Sequence, residues 1–381
     1  MRCIINASVI LEDRVERGIA VIFDEKITKI LPVSQINQAE YEIIDAKNNY
    51  LAPGLVDMHI HGYLGEDVSD GSCEGIKKMS EGIAKNGVTS WCPTTMTVSK
   101  AEIEAAFDAV RYVKNNQNSG ARILGVHSEG PFINPEKKGA QALEHILAPD
   151  ADFVLKNKDI IKILTIAPEV EGAQECIEKV SQNSDILISM GHTGATFEEA
   201  NNGIISGVRH TTHLFNAMTA LSHRNPGVVG AALTNDKVSC ELIADTFHVS
   251  KDLFGFVSKL KGDKLCLITD CIRAGGMEDG DYTLGGQPVH KEGIKCLLPD
   301  GTIAGSVLKL NEAVKNLFDN TDLTLAQCVA CATLNPAKAL GEDKEIGSIV
   351  VGKRADLIII DEKFNVLTTI VGGNTVYEEA E

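Results

Sequence analysis

The chain has 381 residues, of which 44% are hydrophobic and 23% charged, and its formal net charge is -17 at pH 7. A chain of this length and composition can bury a large core and is expected to form about two domains. The negative charge argues against general affinity for nucleic acid or anionic membranes, since both repel an acidic surface. No apolar stretch approaches the roughly 20 residues that span a bilayer. The sequence therefore predicts a cytoplasmic globular protein without a nucleic-acid or membrane partner.

The ten cysteines are scattered along the chain, mostly within apolar segments. This distribution favours buried, reduced thiols over a secreted disulfide framework. The only CxxC, Cys328 and Cys331, has no second pair and lies in a stretch that reads as helical, so packing is favoured over a zinc or redox role.

The two ends of the chain have the same pattern. Residues 1–50 contain short β-branched runs such as GIAVIF and YEIIDA, and residues 345–381 repeat the pattern in GSIVVGKRADLIIID and FNVLTTIVGGNTVYE. Two half-sheets from opposite termini can close into one β-sandwich. The sequence therefore predicts a small β-sandwich domain built from both chain termini.

Between these ends, residues 51–344 alternate strand-like apolar runs with segments that read as helices, such as CEGIKKMSEGIAKNG. Eight such alternations predict an α/β fold, a (β/α)8 TIM barrel. Residues from about 276 to 304 are rich in Gly and Asp and predict a β-hairpin insertion before the last helices. The eight runs are LAPGLVDMHIHG, VTSWCPT, ARILGVHSEG, IKILTIAPE, DILISMGHT, HTTHLF, VSCELIAD and KLCLITD.

Five potential metal ligands lie at the carboxyl ends of these predicted strands, which meet at one mouth of a barrel. His59 and His61 end the first strand, and the strand period of two turns both imidazoles to the same side. Glu129 ends the third, where a carboxylate could bridge two cations. His192 and His213 end the fifth and sixth, and imidazole is a common ligand of zinc and similar ions. The pattern predicts a metal-dependent hydrolase.

Asp270 ends the eighth predicted strand, LCLITD. A buried carboxylate without a partner is costly, so it needs a partner or a function. A metal ion lowers the pKa of bound water from 15.7 to about 7, which makes hydroxide available at neutral pH. An aspartate beside that water can accept its proton and deliver it to a leaving amine. We therefore predict Asp270 as the general base and acid.

The joint order of PGLVDMHIHG, HSEGPFINPEKKGA, GHTGAT, THLFNAM, HRNPG and ADTFHV resembles the amidohydrolase superfamily and, within it, the N-acetylglucosamine-6-phosphate deacetylases, over nearly the whole chain. The resemblance implies hydrolysis of the acetamide of a 6-phosphorylated amino sugar. It makes Glu129, His192 and His213 the principal metal ligands, and His59 with His61 the ligands of a second ion. One or two divalent ions per subunit are expected, and the ligand types leave zinc, iron, manganese and cobalt open.

The resemblance also implies the substrate contacts. Asn216, Ala217 and His248 match sugar and phosphate contacts, and Arg224 matches a phosphate contact that reaches the active site of the neighbouring subunit in a homodimer. Without the resemblance, loop polarity, a packed imidazole and a solvated cation remain the alternatives for these polar residues. The expected substrate contacts also include Ala140 and Gln141.

Two departures from the family pattern bear on the sugar pocket. Gln141 stands where many members carry a His, and its amide can donate a hydrogen bond but cannot become charged. Thr246 stands where a Gly is frequent.

Two other functions are compatible with the sequence. A deacetylase of N-acetylgalactosamine 6-phosphate would differ in its substrate at one hydroxyl, which the sequence does not place. A non-catalytic scaffold that kept the barrel would have no reason to retain clustered polar groups that are costly to bury.

Overall fold

The computed structural model describes residues 1–380, and its centre is a barrel of eight strands in which sequential strands pair in parallel. The barrel closes where the backbone N–H of Asp270 donates to the carbonyl of His59 at 2.9 Å, beside a parallel bridge between Ile60 and Cys271. The predicted (β/α)8 TIM barrel is therefore confirmed. Its strands, in order, are Leu55–Ile60, Val88–Thr95, Val126–Glu129, Ile161–Ile166, Leu187–Met190, His210–Thr211, Ser239–Ile243 and Leu265–Ile268.

The barrel strands are buried on both faces because side chains fill the interior and helices cover the outside. This explains their nearly continuous apolar sequences, such as LCLI in the eighth. Capping boxes begin three of the helices, at Ser99 with Glu102, at Thr196 with Glu199 and at Thr324 with Gln327. The α-helices are Cys73–Ala84, Lys100–Asn116, Ala151–Lys156, Ala173–Asn183, Phe197–Ser206, Gly227–Thr234, Phe254–Lys261, Leu310–Asp319, Leu325–Ala330 and Leu334–Ala339.

Strands from both chain ends form two further sheets outside the barrel, as predicted. Leu51 shows how the ends join, because its strand pairs with Val9 on one side and Ile359 on the other. The six-stranded sheet runs in the order Asn374–Glu378, Val366–Val371, Leu357–Ile360, Tyr50–Pro53, Ser8–Ile10 and Val15–Glu16. The four-stranded sheet runs in the order Ile27–Pro32, Ile19–Phe23, Arg2–Ile5 and Glu42–Asp45.

The domain boundaries 1–50, 51–344 and 345–381 stay a prediction, and the strand Tyr50–Pro53 runs across the first of them. Within the predicted insertion lies a three-stranded antiparallel sheet, Gly280–Leu284, Gln287–Glu292 and Lys295–Leu297. Among the described residues, no helix has the length and apolar character that crossing a bilayer requires.

Candidate metal centre

The carboxylate of Glu129 lies between two pairs of histidines at the carboxyl end of the barrel. Its Oε1 atom is 3.1 Å from His192 Nε2 and 3.0 Å from His213 Nε2. Its Oε2 atom is 3.2 Å from His61 Nε2, and His59 Nε2 lies 3.4 Å from Oε1. The barrel therefore brings the five predicted ligands together, with the Glu129 carboxylate between the two histidine pairs.

All four imidazoles turn Nε2 toward this centre and Nδ1 away from it. Nε2 of His59 lies 3.2 Å from Nε2 of His61, and the Nε2 atoms of His192 and His213 are 3.1 Å apart. An oxygen acceptor at each Nδ1 makes that nitrogen the protonated one and leaves the Nε2 lone pair free to bind a metal. The acceptors are Glu241 Oε2 for His59 (2.9 Å), the Thr94 carbonyl for His61 (3.2 Å), the Lys137 carbonyl for His192 (2.9 Å) and the Asn216 carbonyl for His213 (3.1 Å).

Lone pairs and a carboxylate that face one another repel unless positive charge lies between them. The ligating atoms form two groups, one of His59, His61 and Glu129 and one of Glu129, His192 and His213, each within 4.8 Å. Metal–ligand bonds of about 2.0–2.2 Å fit these spacings. The donor set therefore suits divalent ions at one or two positions.

Asp270 faces the first group, with Oδ1 3.5 Å from His59 Nε2 and 3.3 Å from His61 Nε2. Burial raises the pKa of the Asp270 carboxyl, but the neighbouring His59 and His61 outweigh burial and hold this pKa below its usual value. The carboxylate is thus ionised at neutral pH and able to accept a proton.

Negative charge accumulates around His59. Burial lowers the pKa of this imidazole, but the carboxylates of Glu241, Glu129 and Asp270 outweigh burial and raise the pKa to about 9. The cluster therefore attracts positive charge, and protons compete with a metal ion for Nε2.

Several residues at the mouth have left-handed backbone conformations, which residues other than glycine rarely adopt. The φ angles are 47° at His192, 29° at His213, 51° at Ala217, 66° at Thr246 and 50° at Asp270. Such conformations cost about 1–3 kcal/mol each and persist where the surroundings impose them, often at functional sites.

A cavity of about 380 Å³ opens onto the cluster. Leu284 and Ile303, within the predicted insertion, line one side of it, and Gln287 of the insertion donates to the carbonyl of Ala140 at 2.5 Å. The insertion therefore covers part of the mouth. The predicted site residues that line the cavity are His61, Glu129, Ala140, Gln141, His192, His213, Asn216, Ala217, His248 and Asp270.

Two expected substrate contacts are held by neighbouring groups. Gln141 donates from Nε2 to Glu129 Oε2 at 2.6 Å and accepts from the Thr97 backbone N–H at 2.6 Å. His248 Nδ1 lies 2.6 Å from Asp245 Oδ2, which orients the imidazole. Gln141 therefore holds the Glu129 carboxylate in this conformation, and its role toward a substrate stays a prediction.

Arg224 is exposed and lies away from the cavity of its own chain. Its guanidinium forms no hydrogen bond or ion pair with other residues in the range 1–380. A single chain does not test the prediction that this arginine reaches a neighbouring subunit.

Sequence reasoning missed two residues of the site. Lys137 is the only lysine or arginine among the described residues that line the cavity. Glu241 lies beneath the cluster and is fully buried. Its signal was present in the sequence, because a lone carboxylate in the apolar run VSCELI needs buried partners.

Residues 50–376 match the model of the amidohydrolase family. The chain therefore belongs to the amidohydrolase family. Within that family its similarity is to N-acetylglucosamine-6-phosphate deacetylases, which confirms the predicted resemblance and the prediction of an enzyme.

The relative from Bacillus subtilis (strain 168), an N-acetylglucosamine-6-phosphate deacetylase, is 37% identical over 99% of this chain and 97% of its own length. The crystal structure of N-acetylglucosamine-6-phosphate deacetylase from Pasteurella multocida matches with a TM-score of 0.94 and 33% identity over 100% of both chains. An N-acetylgalactosamine-6-phosphate deacetylase from Escherichia coli O157:H7 is 33% identical over 88% of this chain and 89% of its own length.

Proposed function

We propose that this protein hydrolyses the acetamide of N-acetyl-D-glucosamine 6-phosphate, giving D-glucosamine 6-phosphate and acetate. The observation that carries the proposal is the convergence of two histidine pairs, Glu129 and Asp270 at one mouth of the barrel, where a cavity opens, in a chain whose full-length relatives are named for this reaction. A cytoplasmic location fits the free thiols and a phosphorylated substrate.

The residues that would hold the metal are His59 and His61 for one ion and His192 and His213 for another, with Glu129 shared. A bound divalent ion supplies two effects, a lower pKa of water and polarisation of the acetyl carbonyl. Zinc, iron, manganese and cobalt are all compatible with these ligands.

Asp270 moves the proton in this proposal. Its carboxylate takes a proton from water as the oxygen bonds to the acetyl carbon, and returns that proton to the sugar nitrogen as the carbon–nitrogen bond breaks. Its backbone is held on both sides, because the Asp270 N–H donates to the His59 carbonyl and the Asp270 carbonyl accepts from the Ser306 N–H at 2.8 Å. The carboxylate can therefore serve both steps from one position.

The sugar phosphate would be bound by residues along the cavity, with Ala140, Gln141, Asn216 and Ala217 near the sugar and His248 toward the phosphate. Lys137 adds one cation of the same chain.

Arg224 would come from the neighbouring subunit of a homodimer. Leu221 and Phe197 are apolar but 46% and 38% exposed, and both side chains lie close to Gly230, a few residues after Arg224 in the chain. Exposed apolar side chains of this kind support a subunit contact near this arginine.

Deacetylation of N-acetylgalactosamine 6-phosphate is the second candidate, and the similarity to the Escherichia coli O157:H7 relative favours it. The two substrates differ at one hydroxyl. A single assay separates them, because acetate release is measured from both 6-phosphates after metal-free protein is loaded with zinc, iron, manganese or cobalt.

We expect acetate release from the gluco epimer to be faster with at least one metal. Faster release from the galacto epimer would select the second candidate. No acetate from either substrate with any of the four metals would contradict the proposed function.

A further inference from the structure

Glu241 is a carboxylate with 0% exposure in the middle of the seventh barrel strand, where every residue of Ser239–Ile243 is buried. It lies outside the two ligand groups around Glu129 and takes no part in the proton transfer described above. Burying an ionised carboxylate is costly unless hydrogen bonds and opposite charge compensate it. Its contacts therefore indicate why the chain keeps it.

The carboxylate reaches one ligand of each histidine pair. Oε2 lies 2.9 Å from His59 Nδ1 and accepts the backbone N–H of His213, also at 2.9 Å. Oε1 lies 3.2 Å from His210 Nε2, and His210 Nδ1 lies 2.6 Å from Ser239 Oγ. One buried side chain thus connects the strand beneath the cluster to both halves of the centre.

A third metal site at this position does not fit the contacts, although ligand atoms of His59, His127 and Glu241 lie within 4.8 Å of one another. Both nitrogens of His127 already face oxygens, at 3.2 Å from the Met58 carbonyl and 2.7 Å from Thr165 Oγ1. His59 would have to give up both of its ring protons to bind a metal on each side.

The other three ligand histidines differ from His59 in the partner of Nδ1. Neutral backbone carbonyls hold His61, His192 and His213, whereas a carboxylate holds His59. A charged partner fixes the same tautomer and also strengthens the bond between Nε2 and a metal ion.

We propose that Glu241 is a positioning residue that holds His59 with Nδ1 protonated and Nε2 directed at the ion of the His59 and His61 pair, and so selectively strengthens binding of that ion. This inference rests on the metal-binding role proposed above. Loss of such a partner typically costs about 10–100-fold in metal affinity.

Two substitutions separate charge from shape. In Glu241→Gln, the amide oxygen can occupy the Oε2 position and accept from both His59 Nδ1 and His213 N, while the amide nitrogen faces His210 Nε2, so mainly the charge is lost. Glu241→Leu removes the charge and the acceptors together. Glu362→Gln, at an exposed position in the turn between the strands Leu357–Ile360 and Val366–Val371, is the matched control.

The test is a titration of metal-free protein with Zn²⁺ in competition with a chromophoric chelator, which reports affinity and stoichiometry without activity. We expect two ions in the wild type and in Glu362→Gln. In Glu241→Leu one ion should keep its affinity and the other should bind about 10–100-fold more weakly. The affinity of Glu241→Gln for that second ion should lie between those of the wild type and Glu241→Leu. The circular dichroism of Glu241→Gln should match that of the wild type.

Unchanged metal affinities in both Glu241 variants would overturn the inference. Equal losses of affinity for both ions would also overturn it, because they would indicate a general structural role for Glu241. A wild type that binds a single ion would also overturn it while leaving a one-metal deacetylase standing. A wild type that binds no Zn²⁺ would instead contradict the metal-binding role in the proposed function.

Discussion

In the terminal sheets the central buried cluster consists of Phe23 and aliphatic side chains such as Val9, Leu51 and Ile359, and the charges lie outside it. Lys26 and Glu345, for example, form an ion pair in which each side chain is 50% exposed. The barrel mouth instead buries carboxylates among histidines. The sheets gain stability from apolar packing, whereas the mouth keeps buried charged groups that are costly to desolvate and that a functional site explains. The two regions should therefore respond differently to substitution.

The largest effect is expected for Asp270→Asn. The amide keeps the size of the side chain but cannot accept the proton, so turnover should fall on the order of 10³-fold while metal content and melting temperature stay close to wild type. Acetate release, metal analysis and thermal unfolding check this. Asp281→Asn, on the exposed side of the insertion, is the control and should be fully active. Near-normal turnover of Asp270→Asn would remove this residue from the mechanism.

In the terminal sheets, Leu51→Ala should have the reverse profile. Leu51 is fully buried between two paired strands, so its truncation should lower the free energy of unfolding by about 2–5 kcal/mol and leave kcat unchanged. Denaturant unfolding and acetate release measure the two quantities. Leu260→Ala, at a side chain that is 46% exposed, should cost less than about 0.5 kcal/mol. A large loss of kcat in Leu51→Ala would show that the two regions are not independent.

Arg224→Ala should raise KM for the phosphorylated sugar by about 10–100-fold, as loss of a hydrogen bond to a charged group does, and leave KM for the unphosphorylated sugar unchanged. Arg14→Ala, in the terminal sheets, is the control. Equal effects on both sugars would remove the phosphate role.

Mixing two variants tests whether Arg224 is supplied to the active site by the neighbouring subunit. In a hybrid dimer of Arg224→Ala and Asp270→Asn chains, one site combines an intact Asp270 with an Arg224 from the partner chain. We expect mixing to restore turnover at the wild-type KM. Failure of hybrid dimers to recover it would place Arg224 outside the neighbouring active site.

The smallest effect concerns the thiols, which are all free, with only Cys73 partly exposed. Burial raises the pKa of Cys92 to about 12 and that of Cys240 to about 11, which keeps the thiols protonated and unreactive. Titration of the native protein with a chromogenic disulfide should therefore detect about one thiol, with activity retained. Rapid reaction of Cys328 and Cys331 would contradict their role in packing.

The barrel was predictable because its strands are apolar runs, most of which end in His, Glu or Asp, and parallel strands put those ends at one mouth. His59 and His61 also followed from the strand period. Glu241 did not, because a sequence does not show which buried partners compensate a charge. The contact between Gln141 and Glu129 depends on how a loop folds back over the mouth, which no local pattern determines. Arg224 depends on a second chain.

The most direct test of the account removes and restores the metal. Protein stripped with a chelator should release no acetate from N-acetylglucosamine 6-phosphate, and activity should return as one or two divalent ions per chain are added back, while the circular dichroism of the terminal sheets and barrel is retained throughout. Undiminished acetate release by the metal-free protein would contradict the central claim that the converging histidines and Glu129 exist to hold a catalytic ion.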